Sequence, residues 1–146
     1  MTEQTTTMYS DLSISLTNTL NKSVKKNEGI FFTPPSTIMK ALKFLTPYMD
    51  DINEILEPSC GSCEFIHLLN TTFAGKNITG IEYNKTIFDS IAHFSKENIK
   101  IINHDFLTFT NPKTYNLIIG NPPYFVLKKN EVNSDYYDYF EGRPNI

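Results

Sequence analysis

Four short apolar runs, separated by stretches of helical or loop length, constrain this chain more than any other feature. They are "EILE" (54–57), "ITGIEY" (78–83), "IKIINHDF" (99–106) and "YNLIIG" (115–120). The first three are joined by segments with helical periodicity. "CEFIHLLNTTF" turns Phe65, Ile66 and Leu69 to one side, and residues 84–95 do the same with Ile87, Phe88, Ile91 and Phe94. Strands alternating with helices at this spacing build βαβ units. Such units give a parallel sheet with helices on both faces and right-handed crossovers. The expected class is therefore α/β, with Gly75 closing the first crossover helix as a C-cap. In "YNLIIG", Asn116 to Ile119 read as the core of a buried strand.

Upstream of the alternation the pattern is helical. Residues 1–7 are polar and read as disordered. Leu12, Leu16, Leu20 and Val24 recur every four residues, which predicts one amphipathic helix ending near Lys25. In "GIFFTPPSTIMKALKFL" Thr33 is the expected N-cap and Pro34 the first helical residue. Ile38, Ala41, Leu42 and Leu45 form its apolar face, with Met39 at the margin.

The chain has 146 residues, enough for one core. No apolar run approaches the ~18 residues of a membrane span, and "MTEQTTTMYSD" is no signal peptide. A cytoplasmic or otherwise intracellular location without a membrane is the expectation. Net charge is −3, whereas a free-standing nucleic-acid binder is usually basic. The basic clusters, residues 21–27 and Lys128-Lys129, read as solvated surface. The two cysteines sit in "CGSC" (60–63), a spacing open to a redox pair or half a zinc site. No second pair exists, and the three histidines show no ligand spacing, so no metal is expected.

In open α/β sheets ligands bind at the carboxyl ends of the strands, so the strand tips matter most. Strand one ends in Glu57, followed by Pro58, Ser59, Cys60 and Gly61. Strand two ends in Glu82 and Tyr83, strand three in Asp105 and Phe106, and strand four in Asn121, Pro122, Pro123 and Tyr124. Glu82 stands where an acidic residue at the end of a second strand accepts from ribose hydroxyls. Asp105 suits an exocyclic amine and Phe106 a purine face. The alternative for each is a solvated charge, an N-cap or core. The turn at Gly61 is not G-x-G-x-x-G, so it suits a ligand without phosphates, such as S-adenosylmethionine, better than a pyrophosphate.

The fourth tip is the most specific. Asn121 offers a side-chain carbonyl, and Pro122 a backbone carbonyl whose direction is constrained by a fixed φ. Pro123 keeps Pro122 extended. Two acceptors match the two protons of an amino group, and Tyr124 supplies a face on which the ring bearing it stacks. Holding both protons out of the ring plane frees the nitrogen lone pair for an electrophile. The bland alternative is a β-turn, since Asn-Pro opens turns.

These motifs, in this order from about Gly29 to Phe125, resemble the N6-adenine DNA methyltransferases of the gamma class. "FFTPPS" resembles the segment that closes over the methionine part of S-adenosylmethionine. "ILEPSCGSCEFI" is similar to motif I, "GIEYN" to motif II, "HDF" to motif III and "NPPYF" to motif IV. "GRPNI" resembles the approach to motif V. The resemblance implies a Rossmann-like class I methyltransferase fold and S-adenosylmethionine as cofactor. It places Phe32 and Thr33 at the methionine moiety, and Glu57 and Gly61 near its amino acid end with Ser59 and Cys60 beside them. Glu82, with Tyr83 adjoining, is placed at the ribose, and Asp105 and Phe106 at the cofactor's adenine. Asn121 and Pro122 hold the target amine, and Tyr124 stacks on an adenine flipped out of DNA. Cys63 departs from the family's usual pattern, which has a second glycine there. A Cβ at that point means that the turn changes or the cofactor contact loosens.

Alternative readings stay open: an RNA-adenine methyltransferase, a protein-glutamine methyltransferase, which also carries "NPPY", or a non-catalytic cofactor-binding subunit. Residues 1–28 are expected to be a disordered start and a helix, and 29–146 a partial methyltransferase domain without a target-recognition domain. The missing carboxyl-terminal half, or a complementing chain, is then a required partner, and "NLIIG" an unpaired edge open to association. Incubation of the isolated chain with labelled cofactor and unmethylated DNA is expected to give no methylation. Robust methylation by the monomer would refute the partial-domain reading.

Overall fold

The computed structural model describes residues 8–124 and Ser134. The disorder expected of residues 1–7, Phe125, Lys128-Lys129, the acidic tail and "GRPNI" lie outside the described residues. The sheet has four parallel strands: β1 (Glu54–Glu57), β2 (Asn77–Glu82), β3 (Ile99–Asn103) and β4 (Leu117–Ile118). Their order is β3-β2-β1-β4. Helices α1 (Asp11–Thr19), α2 (Lys22–Asn27) and α3 (Pro35–Leu45) precede the sheet. α4 (Glu64–Thr72) links β1 to β2, and α5 (Lys85–Ile91) links β2 to β3. The α/β expectation therefore holds, with the reversal of strand order between β1 and β4.

Register explains the core. Ile55, Ile78 and Ile99 lie in one row across three strands, with Leu117 completing it on β4. They pack with Ile38 and Leu42 of α3, Ile66 and Leu69 of α4, and Ile87 and Ile91 of α5. Each fully buried side chain of this size contributes roughly 1.5–3 kcal/mol. Successive strand residues face opposite sides, so Leu56, Thr79 and Ile81 belong to the other face. They too are buried, and both faces of the sheet are covered.

Several local expectations are corrected. The predicted single helix over Leu12 to Lys25 is two. Leu20 is extended and buried, and Asn21 caps α2 by accepting from Ser23 N at 3.0 Å. A side chain that offers the backbone this bond competes with helix continuation. Thr33 is not an N-cap. Pro35 takes the first helical position and holds Pro34 extended (φ −59°, ψ 135°), so the cap falls one residue later on a side chain without an acceptor. The helix before Gly75 is capped at Phe73, and Gly75 follows in the turn with φ 81°. α5 tightens into a 3-10 turn over Ala92–Phe94.

The strand ends differ as well. β3 stops at Asn103, and Asp105 instead caps a 3-10 turn (Phe106–Thr108), accepting from Leu107 N at 3.0 Å. The fourth strand is not a buried core strand. Only two of its residues are regular, and Ile118 is 61% exposed. Among the described residues β4 has β1 alone as neighbour. Asn116 anchors it, its Oδ1 accepting from Asn53 N and Glu54 N, both at 3.1 Å.

One residue of β2 sets the distance between sheet and α4. A Cβ on Gly80 would lie 2.5 Å from Ile66 Cδ1 and 3.1 Å from both Cys60 Sγ and Ile101 Cδ1. Gly80→Ala is therefore expected to cost about 1–3 kcal/mol, the range for overpacking a dense core. Chemical denaturation checks this, and an unchanged midpoint would show that Ile66 repacks freely.

Candidate functional site

The turn after β1 is the foundation of the site. Cys60 N donates to Ile81 O at 2.8 Å, and Cys63 N to Cys60 O at 2.7 Å. Gly61 carries φ 51°, and a Cβ there would lie 3.3 Å from the Phe32 ring. Glycine serves here both for the left-handed backbone and for the approach of Phe32. Cys63 also adopts the left-handed region, at φ 64° and ψ 21°. Cys63 thus takes a backbone conformation that glycine adopts freely. The conformation costs a non-glycine residue about 1–2 kcal/mol.

Glu82 ties this turn to β2. Its Oε2 accepts from Gly61 N at 2.9 Å, and its Oε1 from Asn84 N at 2.7 Å. Burial raises its pKa, and those backbone bonds, with Tyr83 N, pull the other way. Asn103 holds the same corner from β3, its Nδ2 donating to Glu82 O at 2.7 Å and Tyr83 O at 3.1 Å. Sequence reasoning missed Asn103. No sequence pattern marked it, because its role follows from the register that pairs it with Glu82 in the folded sheet.

Glu57 is 1% exposed. Burial pushes its carboxyl well above the ordinary range, and Cys63 and Glu82 add in the same direction. Its Oε2 and the Ser59 hydroxyl are buried without a hydrogen-bond partner. Gly120, at the exit of β4, admits this carboxylate, since a Cβ there would lie 2.8 Å from Glu57 Oε1. Cys60 is held well above the ordinary thiol range by its contact with Cys63, by burial and by the two carboxylates. A thiol so placed stays protonated and is a poor nucleophile or ligand.

A cleft gathers these groups. Its lining includes Phe32, Thr33, Glu57, Ser59, Cys60, Gly61 and Asn121. Asn121 reaches across 88 residues of sequence, its Nδ2 donating to Thr33 Oγ1 at 3.2 Å. The lining also takes in Glu64, which sequence reasoning passed over. Glu64 Oε1 accepts from Ser10 N at 2.8 Å, Ser10 Oγ at 2.7 Å and Ser13 Oγ at 2.5 Å, which ties α1 to the cleft wall. The signal available was an acidic residue in the first turn of a helix.

Other expected residues lie beside the cleft rather than in it. Glu82 joins it through Gly61 N. Tyr83 is 68% exposed at the tip of β2, and Asp105 and Phe106 stand beyond β3. Pro122 and Pro123 are exposed, and Tyr124 is 82% exposed at the mouth of β4.

A parallel sheet in this order, with its polar groups collected at the carboxyl ends, is Rossmann-like, and its likeness to solved methyltransferases makes the fold that of the class I methyltransferases. A Pyrococcus horikoshii protein assigned as an RNA methyltransferase is similar at TM-score 0.54 and 20% identity, over 77% of this chain and 59% of that one. A Staphylococcus aureus protein assigned as a caffeoyl-CoA O-methyltransferase is similar at TM-score 0.51 and 19% identity, over 75% and 53%. The sequence narrows this class. A profile of the Eco57I restriction-modification methylases matches residues 6–146, and the chain belongs to that family. Modification methylase CviBIII of Paramecium bursaria Chlorella virus NC1A is 31% identical over 140 residues, 94% of this chain and 36% of that protein. Type II methyltransferase M.CvrRI of Paramecium bursaria Chlorella virus XZ-6E is 33% identical over 118 residues, 81% of this chain and 30% of that protein. The chain thus spans about a third of the length of these relatives. Among the described residues no helix is long and apolar enough to cross a membrane.

Two measurements follow. The raised Glu57 keeps a proton that the unfolded chain has released. Its contribution to stability is full below the ordinary value of 4.5 and falls as pH rises through the raised one. Thermal unfolding without ligand is expected to show this decline, and Glu57→Gln to remove most of it, leaving the smaller slope of Glu82. Cys63→Gly is expected to be about 1 kcal/mol more stable than Cys63→Ala, since both lack the thiol and only alanine keeps the strained backbone. Equal stability would mean that the left-handed turn costs nothing.

Proposed function

We propose that this chain is the cofactor-binding and amine-activating part of an S-adenosylmethionine-dependent DNA methyltransferase acting at N6 of adenine. The observation that carries the reading is the shared cleft. Phe32, Thr33, Glu57, Ser59 and Gly61 line it together with Asn121, and two of its buried polar atoms lack partners. The residues fit the cofactor. Glu57 suits its ammonium group, and Ser59 and the Gly61 turn suit its amino acid end. Glu82 keeps a lone-pair site for a ribose hydroxyl beyond its backbone bonds from Gly61, Asn84 and Tyr83. Asp105 and Phe106, past β3, suit the adenine ring. When bound, the cofactor supplies an electrophilic methyl group on a sulfonium.

The chain's own residues then act on the target amine. Asn121 Oδ1 and the Pro122 carbonyl accept its two protons and draw them out of the ring plane. Pro123 keeps the Pro122 carbonyl in place. Tyr124, largely exposed, offers a face to a base flipped from the duplex. DNA as substrate is supported by membership of a restriction-modification family and by relatives named as modification methylases. Residues 29–146 would then form part of a methyltransferase domain, with the remaining part or a complementing chain, and DNA, as partners.

Calorimetry is expected to show one S-adenosylmethionine per chain, bound more weakly after Glu82→Ala by about 1–3 kcal/mol. Unchanged affinity in that variant would remove Glu82 from the ribose. In the enzyme with its partner region, Asn121→Ala is expected to slow methylation of adenine in DNA at least about 100-fold with cofactor affinity retained. Methyl transfer to RNA or to a glutamine amide instead of DNA would overturn the substrate assignment.

A further inference from the structure

We propose that Thr33 is a positioning residue that sets the orientation of the Asn121 amide. The inference rests on the reading of Asn121 as acceptor for the target amine. Asn121 lies on a segment without regular structure, and the three residues after it are exposed. The terminal torsion of an asparagine side chain is broad and roughly two-fold. Rotated by half a turn, Asn121 would present an NH2 group, and two donors would then face the two protons of the target amine. The Thr33 hydroxyl, which can accept or donate, holds one of the two orientations. It accepts from Asn121 Nδ2 at 3.2 Å, so the amide carbonyl is the atom turned away from Thr33.

The holder is itself held. Pro34 and Pro35 fix the backbone after Thr33. Before it, the Phe32 carbonyl accepts from Tyr9 Oη at 3.1 Å, and the Phe32 ring lies against Gly61. The hydroxyl therefore stands at a defined place on a segment that also lines the cleft. Thr33 thus joins the cofactor side of the cleft to the side that acts on the base. A contact with cofactor alone would leave Asn121 unaffected when the hydroxyl is lost.

The test uses Thr33→Val, which keeps the branched shape and loses the oxygen, and Thr33→Ser, which keeps the oxygen. In the chain itself, the side-chain amide signal of Asn121 is found by nitrogen-15 NMR from its loss in Asn121→Ala. Thr33→Val is expected to shift that signal and speed its hydrogen exchange, and Thr33→Ser to leave it near its original place. In the enzyme with its partner region, at saturating S-adenosylmethionine, Thr33→Val is expected to slow single-turnover methyl transfer about 10- to 100-fold, beyond whatever affinity the cofactor loses with the hydroxyl. Thr33→Ser restores most of the rate. An unmoved Asn121 signal in Thr33→Val overturns the proposal whatever the activity. So does a loss of cofactor affinity that accounts for the whole loss of rate. Wild-type enzyme that fails to methylate adenine would refute the proposed function instead, and the NMR comparison would still decide the contact.

Discussion

The Glu82 carboxylate is the interaction on which the rest of the site depends. It accepts from the backbone of two turns at once, after β1 at Gly61 and before α5 at Asn84. Two N–H groups at helix approaches would otherwise be left without partners at the carboxyl edge of the sheet, where unpaired buried donors are costly. With Gly61 fixed, Phe32 has a surface to lie on. With Phe32 fixed, Thr33 stands where Asn121 can reach it. A single buried acid thus sets the distance between the two halves of the proposed chemistry.

Carboxylates are used in several ways at this edge. Glu82 is buried but hydrogen-bonded, so burial and bonding oppose each other in its titration. Glu57 is buried with one oxygen unpartnered, and its charge is correspondingly disfavoured. Glu64 gathers three donors from the amino-terminal segment and pins α1 to the cleft wall. A buried acid with an open valence is what a cationic ligand group would satisfy, whereas one surrounded by donors is architectural. That contrast separates Glu57 from Glu64, although both line the cleft.

The strand and helix order was legible because apolar periodicity changes along the chain and each strand is bounded by turn residues. Most misreadings were local, and each has a competing contact. Thr33 gave way as a cap because Pro35 fixed the helix start one residue later. The long first helix broke where Asn21 offered its own side chain to the backbone. β3 ended early because Asp105 bonds to Leu107 N instead of extending the ladder. Cys63 took a conformation expected of glycine, since the turn between β1 and α4 is fixed at both ends by packing.

By itself, the sequence determined the α/β class, the order of the strands along the chain and the residue types that follow each of them, because residue type and spacing are properties of the chain. Only the tertiary structure decided which tips meet. The placement of β4 beside β1 brings Asn121 to Thr33 and Glu57, residues separated by 88 and 64 positions. No periodicity encodes such a meeting, because it depends on strand order and on how closely backbones approach at Gly61, Gly80 and Gly120. Those distances are set by three-dimensional packing, and they turn a row of polar residues into one cleft.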